Sequence, residues 1–567
     1  MRAFATGGLV TLGFVLILVA VASSASAIER SFLGHAIGAL AWGPQLFRAL
    51  LAFHGVSLVA LGATVWKRRV DRRSPQRTAA SNTPTVAWVT IVLLCGVALA
   101  LRLWRLDTDL WLDEMFTLTD FLRRPLPQIA TMFPSQNQHM LYSLLARASL
   151  VAFGESAAAI RLPAVLFGVG SIWVLFMLGR RILGAREALL ASLLMAFAYH
   201  HVWFSQNARG YSGLLFFATL ATWLWIVALE RGTVFRWSAY CAAAWLGVWM
   251  HMTMVFVLAT HAVVYVTLLP SGMTATGPPG PLDDGFRWRA PRAWFFAGTL
   301  SLQVYALALP EFLGSALHEV SLDSEWINPM WVFQESLRRL ADGGLASLVV
   351  VGGLVTVAAG MASVWRSNWR DAALLLLPGA LGGGTMLALG HNLWPRFFFF
   401  CMGFVLLLVV RGLTAAPESL LSKLGARNPA RLGGQLGTVA CLALVVVSAT
   451  TLPRSYLPKQ DFSGAKQWTE EARQAGDTIV SAGLAGEAYR RYYAPEWPFV
   501  KSRVELESIQ RDSRTVWLVY TLPVHLRAWF PEIWAVIQSE YETVRVFPGT
   551  LGDGDVVVCR WRGGAAG

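Results

Sequence analysis

Two adjacent acidic residues, Asp113 and Glu114, are the feature of this sequence that most suggests chemistry. They lie in LRLWRLDTDLWLDEMFTL, residues 101–118, among tryptophan, leucine, methionine and phenylalanine. Only 14% of the residues in the chain are charged. A carboxyl group held against an apolar surface is costly to ionise, and such surroundings are common at functional sites. The pair therefore indicates a site for chemistry.

Cationic and aromatic residues occur in three later segments. Arg209 lies in HHVWFSQNARGY, His251 in WMHMT, and His391 and Arg396 in GHNLWPRFFFF. All four lie near the predicted outer ends of apolar runs. Ionisable groups at that level are candidates for function and are expected to have partners. Together they form a plausible site for an anion such as a lipid-linked phosphate, which would enter sideways from the bilayer.

Each residue also has a structural interpretation. Arg209 and Arg396 are also explained as interface anchors whose charged heads reach out of the membrane. His251 is also explained as a hydrogen-bonded core histidine, and Asp113 and Glu114 as solvated loop acids. What favours function is the combination of carboxylates and cations on one predicted face.

The elements that must position these residues are membrane-spanning helices. Hydrophobic residues make up 55% of the 567-residue chain, and the mean hydropathy is +0.50. The net charge of +13 is a weak argument for nucleic-acid binding, because the basic residues lie in short loops between apolar runs. Apolar runs, most of about 18 residues or more, predict thirteen spans, near 7–27, 47–66, 86–104, 160–179, 187–204, 211–229, 237–250, 254–269, 293–311, 343–365, 371–389, 397–414 and 434–451. The run 237–269 is too long for one span and is divided at His251-Met252-Thr253 into two short spans.

The charge pattern predicts the orientation of these spans. The strongly basic loop WKRRVDRRSPQR, residues 66–77, should be cytoplasmic, and the alternate loops that follow are also basic. We therefore expect a multi-pass protein of the cytoplasmic membrane with the acidic pair on the extracytoplasmic side. The N-terminal run 7–27 is explained equally as a cleaved signal peptide or as a retained first span.

Three regions follow from this pattern. Residues 1–85 are expected to hold two spans and the basic loop, residues 86–452 a transmembrane domain whose first outer loop is 105–159, and residues 453–567 an extracytoplasmic α/β domain. LPQIATMF and LYSLLARASLVAF in the loop have helical spacing. DTIVSAG, TVWLVYTLP, YETVRVFP and DVVVCRW in the last region resemble strands, and HLRAWFPEIWAVIQSEY resembles a helix. This last domain is expected to serve recognition or stability.

The five cysteines do not indicate a disulfide framework or a zinc site. Four of them lie in predicted spans, and Cys559 has no partner in the last region. A divalent metal beside Glu114 is left open, and no cofactor is otherwise indicated.

At this point the ordered motifs resemble a known family. LWLDEMFTL, QNQHMLYSLLARASLVAFGESAAAIRLPAVLFGVGSIWVLFMLGRR and AYHHVWFSQNARGYSGLLFF resemble the GT-C superfamily of membrane glycosyltransferases, and most closely glycosyltransferase family 39. That group includes dolichyl-phosphate-mannose protein mannosyltransferases and bacterial aminoarabinose transferases. The resemblance covers about residues 86–270, and residues 394–413 resemble a later Pro-Arg-aromatic segment of the family.

The resemblance implies inverting transfer of a sugar from a polyprenyl-phosphate-linked donor to an acceptor hydroxyl of a protein, glycolipid or glycan. Asp113 aligns with the first acid of the family pair and would be the general base, and Glu114 aligns with the second. Arg209, Arg396 and His251 would bind the donor phosphate. The residues expected to contact substrate are His139, Tyr142, Tyr211 and His391. The family's two prolines after the histidine are absent here, where the sequence reads HMLY.

Two other function classes are compatible with many spans. A transporter or flippase of lipid-linked sugars would also use cations on the outer face. It would be expected to have broken helices in matched halves and ionisable groups near the bilayer midplane. The predicted spans show no such pairing and are expected to be free of buried acids. A membrane scaffold for the outer domain would leave the acidic pair unexplained.

Overall fold

The computed structural model describes residues 2–34, 42–67, 84–135, 137–269, 286–310, 313, 345–390 and 393–562. The long helices follow the apolar runs because a helix satisfies its own backbone hydrogen bonds without water. They are Arg2–Ala22, Trp42–Lys67, Thr85–Leu103, Ala157–Ile182, Tyr211–Arg231, Val234–Met250, Met254–Leu268, Phe286–Tyr305, Leu345–Ser367, Trp369–Ala388, Met402–Lys423 and Pro429–Ser455.

Shorter helical segments connect the long helices and build the first loop. They are Ala25–Phe32, Leu112–Phe116, Leu126–Thr131, Met140–Phe153, Ala185–Phe197 and Tyr199–Ser205, with a π-helical turn over Thr117–Leu122 and a 3₁₀ helix over Pro395–Cys401. Both loop helices predicted from spacing form, as Leu126–Thr131 and Met140–Phe153. The helix that carries Asp113 was not predicted.

Among the described residues, eight helices are long and apolar enough to cross a membrane, or ten if two bent pairs are each counted as one span. The prediction of a helical multi-pass membrane protein with a small C-terminal α/β domain is confirmed. The count of thirteen spans stays a prediction.

The predicted span 187–204 is broken. Helix Ala185–Phe197 bends by 62° into Tyr199–Ser205. A break leaves backbone carbonyl groups without helical partners, and these must be satisfied inside the protein. Here the buried Arg102 guanidinium donates to the Ala196 carbonyl at 3.3 Å. It also donates to the Ser205 hydroxyl on the other side of the bend at 3.3 Å. The bend turns the chain toward the acidic pair.

The expectation of spans free of buried acids is wrong. Glu187, in helix Ala185–Phe197, is buried and accepts hydrogen bonds from Arg411 at 3.1 Å and Thr414 at 2.6 Å. A carboxylate is tolerated among apolar helices when it is paired in this way. The pair joins this helix to Met402–Lys423.

The C-terminal domain contains helices Phe462–Ala472, Gly483–Ala488, Arg503–Asp512, Pro523–Trp529 and Pro531–Glu540. Its strands are β1 (Thr478–Ala482), β2 (Phe499–Val500), β3 (Val516–Thr521), β4 (Tyr541–Phe547) and β5 (Val556–Trp561), in the order β2-β1-β3-β5-β4. β1 is parallel to β2 and β3, and β5 is antiparallel to β3 and β4. All four predicted strands form. The predicted single helix is interrupted before Pro531, whose ring cannot continue a helix.

This domain packs directly on the first loop. Leu112 and Met115 are buried in one hydrophobic cluster with Phe462 and Tyr489 of the domain. The Tyr493 hydroxyl also donates to the Leu110 carbonyl at 2.6 Å. The short helix that carries the acidic pair is therefore held between the helical bundle and the C-terminal domain.

Candidate active site

The short helix Leu112–Phe116 points its two acids in different directions. Successive residues of a helix are about 100° apart around the axis, so they do not share a face. The Glu114 side chain is fully buried, whereas that of Asp113 is 19% exposed. Glu114 therefore faces the protein interior, and Asp113 is partly accessible from the protein surface.

Glu114 forms a buried ion pair with Arg161. The guanidinium donates from Nε to Oε1 at 2.8 Å and from Nη2 to Oε2 at 2.5 Å, and the Ala208 amide also donates to Oε1 at 2.6 Å. Burial alone raises the pKa of Glu114, but the charge and hydrogen bonds of Arg161 lower it by more, so the pKa lies below its ordinary value. Both carboxylate oxygens are occupied, and this geometry suits positioning rather than contact with a substrate.

Asp113 lies between two arginines. Its Oδ2 is 3.7 Å from Nη2 of Arg209 and 3.8 Å from Nη1 of Arg396. The Arg209 side chain is buried, and that of Arg396 is 38% exposed. In the part of the chain that the structure describes, Nε of each arginine is buried without a hydrogen-bond partner. The arginines thus have unused donor capacity beside a partly open carboxylate.

Three rings pack beside the arginines. His139 lies 5.0 Å from His251 and 5.3 Å from Tyr211 between ring centroids, and the Arg209 guanidinium lies 5.7 Å from the Tyr211 centroid. Burial, and then the nearby arginines, lower the pKa of His251 to about 3 and that of His139 well below its ordinary value. Both shifts favour the neutral form of the rings at pH 7. The binding of the donor phosphate by His251 stays a prediction, and a neutral ring would take part as a hydrogen-bonding group.

Gly210 allows this packing. A Cβ atom at position 210 would lie 2.8 Å from Nδ1 of His139 and 3.0 Å from the Met250 carbonyl. A side chain there would displace the histidine, so the close approach of the segment after Arg209 to His139 needs glycine.

The neutral histidines predict acid sensitivity. Their folded pKa values lie below the unfolded value of about 6.5, so the unfolded chain binds more protons and stability falls as pH drops below 6.5. For His251 the loss between pH 8 and 5 is about 2 kcal/mol. Thermal unfolding in detergent from pH 8 to 5 should show a falling midpoint, with a shallower slope for His251→Gln. An equal slope in wild type and His251→Gln would contradict this account.

Not all expected residues join the site. Tyr142 is buried in the bundle core, and its hydroxyl donates to the Ile160 carbonyl at 2.7 Å. His391 lies outside the described residues. Within the described ranges, no group of three or more His, Cys, Asp and Glu side chains is arranged to hold a metal.

Several residues at the site were not expected from the sequence. Arg161 forms the ion pair with Glu114. Asn137 donates from its side-chain amide to the backbone carbonyl of Asp113 at 3.1 Å, and its side-chain oxygen accepts from Arg209. Lys459 and Gln460 reach the site from the segment before the C-terminal domain. Of these residues, only Arg161 could have been selected from the sequence, because it is an ionisable residue at the start of an apolar run.

Comparison with protein families supports the resemblance seen in the sequence. Residues 137–276 match the family model described as dolichyl-phosphate-mannose-protein mannosyltransferase. The match spans about a quarter of the chain and supports a family-39-like membrane glycosyltransferase. The matched region holds Arg161, Arg209 and the three packed rings, whereas Asp113 and Arg396 lie on either side of it.

Solved structures show a distant likeness to this chain. ArnT from Cupriavidus metallidurans in the apo state is 14% identical, with 84% of this chain and 98% of that chain covered and a TM-score of 0.48. The same protein bound to undecaprenyl phosphate is 13% identical, with 85% of this chain and 100% of that chain covered and a TM-score of 0.47. The Archaeoglobus fulgidus oligosaccharyltransferase complex with zinc and sulfate is 12% identical, with 81% of this chain and 72% of that chain covered and a TM-score of 0.41. Comparison with curated protein sequences found no match.

Proposed function

We propose that this glycosyltransferase moves a sugar from a polyprenyl-phosphate-linked donor to an acceptor hydroxyl, with inversion, on the extracytoplasmic side of the cytoplasmic membrane. The acceptor class is a protein, a glycolipid or a polysaccharide. The observation that carries the proposal is the partly exposed Asp113 carboxylate, whose Oδ2 lies 3.7 Å from Arg209 and 3.8 Å from Arg396. This cluster supports a base and two cations acting at one reacting centre.

Asp113 acts as the general base. An acceptor hydroxyl is a weak nucleophile, so its proton must pass to a base as its oxygen attacks the anomeric carbon. The new carbon–oxygen bond forms as the bond from the anomeric carbon to the phosphate oxygen breaks, and the electron pair leaves with the phosphate. Attack from the face opposite the leaving group inverts the anomeric centre. Asp113 holds the proton at the end of the step.

Arg209 and Arg396 bind the phosphate of the donor and of the leaving group. Phosphate is a preferred partner of guanidinium because its oxygens accept charge-assisted hydrogen bonds. Among the described residues the buried Nε atoms of both arginines have no hydrogen-bond partner, which supports spare donor capacity for such an oxygen. The description of the matching family model, which names a dolichyl-phosphate-linked sugar, supports a donor of this class. The leaving group needs cations and no acid, because a phosphate is already stable as an anion.

An assay in detergent tests this function directly. Purified protein is mixed with a panel of undecaprenyl-phosphate sugars and an envelope extract as the source of acceptor. We expect release of free undecaprenyl phosphate together with glycosylation of one acceptor class. A flippase moves its substrate between leaflets and would release no free lipid phosphate, and that result across the panel would contradict the proposal.

Replacing either arginine should weaken donor binding. Loss of a charge-assisted hydrogen bond costs about 1.5–3 kcal/mol, so Arg209→Ala and Arg396→Ala should each raise the donor KM about 10- to 100-fold. Arg123→Ala, at an exposed ion pair in the same loop, is the matched control. Unchanged donor KM in both site variants would identify the two arginines as interface anchors.

A further inference from the structure

A three-residue arm joins the last long helix to the C-terminal domain. We call residues 458–460 the 458–460 arm; it follows helix Pro429–Ser455 and precedes helix Phe462–Ala472. Lys459 and Gln460 are both buried. Lys459 forms no ion pair with the residues that the structure describes, which is unusual because burying an ammonium is costly unless a specific contact holds it. Its contacts therefore indicate what the arm is for.

The C-terminal domain holds one side of the 458–460 arm. The Thr550 amide donates to the Pro458 carbonyl at 3.0 Å, and the Leu551 amide donates to the Lys459 carbonyl at 3.2 Å. Gln460 donates from Nε2 to the hydroxyl of Thr521, the last residue of β3, at 3.1 Å. The backbone of the arm is thus fixed by the β4–β5 loop and by the central strand of the domain.

The other side of the 458–460 arm holds the active-site segments. Lys459 Nζ donates to the Gln206 carbonyl at 2.8 Å and lies 4.9 Å from the Trp203 ring centroid. Gln460 Oε1 accepts from the Leu112 amide at 3.0 Å. Leu112 directly precedes Asp113, and Gln206 is three residues before Arg209.

The segment 206–209 is held at several points, and Gln206 also donates from Nε2 to the carbonyls of Arg102 and Trp104 at 2.9 and 2.7 Å. Lys459 holds the Gln206 carbonyl, and Glu114 holds the Ala208 amide. Asn207 between them accepts from the Trp111 indole at 3.1 Å. The next residue is Arg209, whose side chain lies beside Asp113.

We propose that Lys459 is a positioning residue of the active site, through which the C-terminal domain sets the location of Arg209 relative to Asp113. The inference rests on the proposed function and assigns the domain a part in donor binding, which goes beyond the recognition or stability role expected from the sequence. Lys459 acts through the Gln206 carbonyl and does not itself touch the donor.

Electrostatics supports a hydrogen-bonding role. Burial lowers the pKa of Lys459 to about 7, against the opposing effect of Glu114 and with a smaller contribution from Arg161. The ammonium is therefore easily discharged, and what Lys459 offers in either state is an N–H donor aimed at the Gln206 carbonyl. Methionine has a side chain of similar length without a donor and removes that contact.

The first test compares Lys459→Met with Lys466→Met. Lys466 also donates to a backbone carbonyl, that of Tyr493 at 2.7 Å, but within the C-terminal domain. We expect Lys459→Met to raise the donor KM about tenfold with kcat changed less than threefold, and Lys466→Met to change neither. An unchanged donor KM in folded Lys459→Met would overturn the proposal.

A double variant tests whether Lys459 acts through Arg209. Residues that act through one another have non-additive effects. The donor KM of Lys459→Met/Arg209→Ala should lie within about twofold of that of Arg209→Ala alone. A further tenfold increase in the double variant would mean that the two residues act independently, and the proposal would be wrong.

A second variant perturbs the 458–460 arm without changing the lysine. A Cβ atom at Gly549 would lie 2.3 Å from the Lys459 carbonyl oxygen, so Gly549→Ala must displace the arm. Gly552 in the same loop has open space around it, and Gly552→Ala is the control. We expect Gly549→Ala to raise the donor KM and Gly552→Ala to leave it unchanged. Equal donor KM values in the two alanine variants would overturn the proposal even if Lys459→Met fails to fold.

The failure of this inference is distinguishable from failure of the proposed function. If Arg209→Ala raises the donor KM while Lys459→Met and Gly549→Ala do not, only the role of the 458–460 arm is wrong. If the wild-type protein releases no undecaprenyl phosphate from any donor of the panel, the proposed function fails and this inference with it.

Discussion

Asp113→Asn is expected to lower the rate of sugar transfer by about 10²–10⁴-fold, the range that general base catalysis contributes. Asparagine keeps the shape of the side chain but cannot take the acceptor proton. The carboxylate is partly exposed and lies near the arginines at 3.7 and 3.8 Å rather than in direct hydrogen bonds, so its replacement should leave the fold intact. Single-turnover transfer in detergent, with donor binding measured separately, is the experiment.

Asp107→Asn is the matched control for that variant, because Asp107 is an exposed acid of the same loop. It should retain wild-type transfer. Donor binding by Asp113→Asn should stay within a few-fold of wild type, since the phosphate contacts belong to the arginines. Near-normal turnover of Asp113→Asn in a folded protein would show that another group takes the proton.

The acidic pair shows how far the sequence predicts this site. Its apolar setting and the cations of distant segments identified Asp113, Arg209 and Arg396, and the structure brings these three together. The residue pattern alone did not separate the roles of Asp113 and Glu114, and the family resemblance assigned the base to Asp113 without giving Glu114 a defined role. That separation depends on a helix of five residues, which leaves one acid at the surface and one in the core.

The contacts between residues far apart in the sequence could not be predicted from the sequence. Arg161 is 47 residues from Glu114, and Lys459 is 253 residues from Gln206. Nothing in the local pattern of either cation indicates its partner, because both contacts depend on how the C-terminal domain and the bundle close around the first loop. By contrast, the apolar runs and the four strands depend on local patterns and were predicted. The break after Phe197 was missed because Val202, Trp203 and Phe204 resume the apolar run after His200 and His201.

Glu114→Gln is expected to destabilise the protein by about 3–5 kcal/mol, because it leaves Arg161 buried without its counter-charge. The two Arg161 hydrogen bonds to Glu114 and the one from Ala208 all involve this carboxylate. Arg161→Met should cost a similar amount, since it leaves the carboxylate uncompensated. Thermal or denaturant unfolding in detergent measures the loss, and Glu155→Gln at the exposed Arg123 pair should cost less than about 1 kcal/mol.

The double variant Glu114→Gln/Arg161→Met distinguishes a paired role from two separate ones. When both members of a buried pair are removed, neither leaves an isolated charge, so the double variant should be less destabilised than the sum of the single variants. Some loss must persist, because Arg161 also donates to the carbonyls of Leu106 and Thr108 at 2.9 and 2.8 Å. Additive losses would mean that Glu114 acts mainly on the Ala208 amide, and therefore on the segment that carries Arg209, rather than as the counter-ion of Arg161.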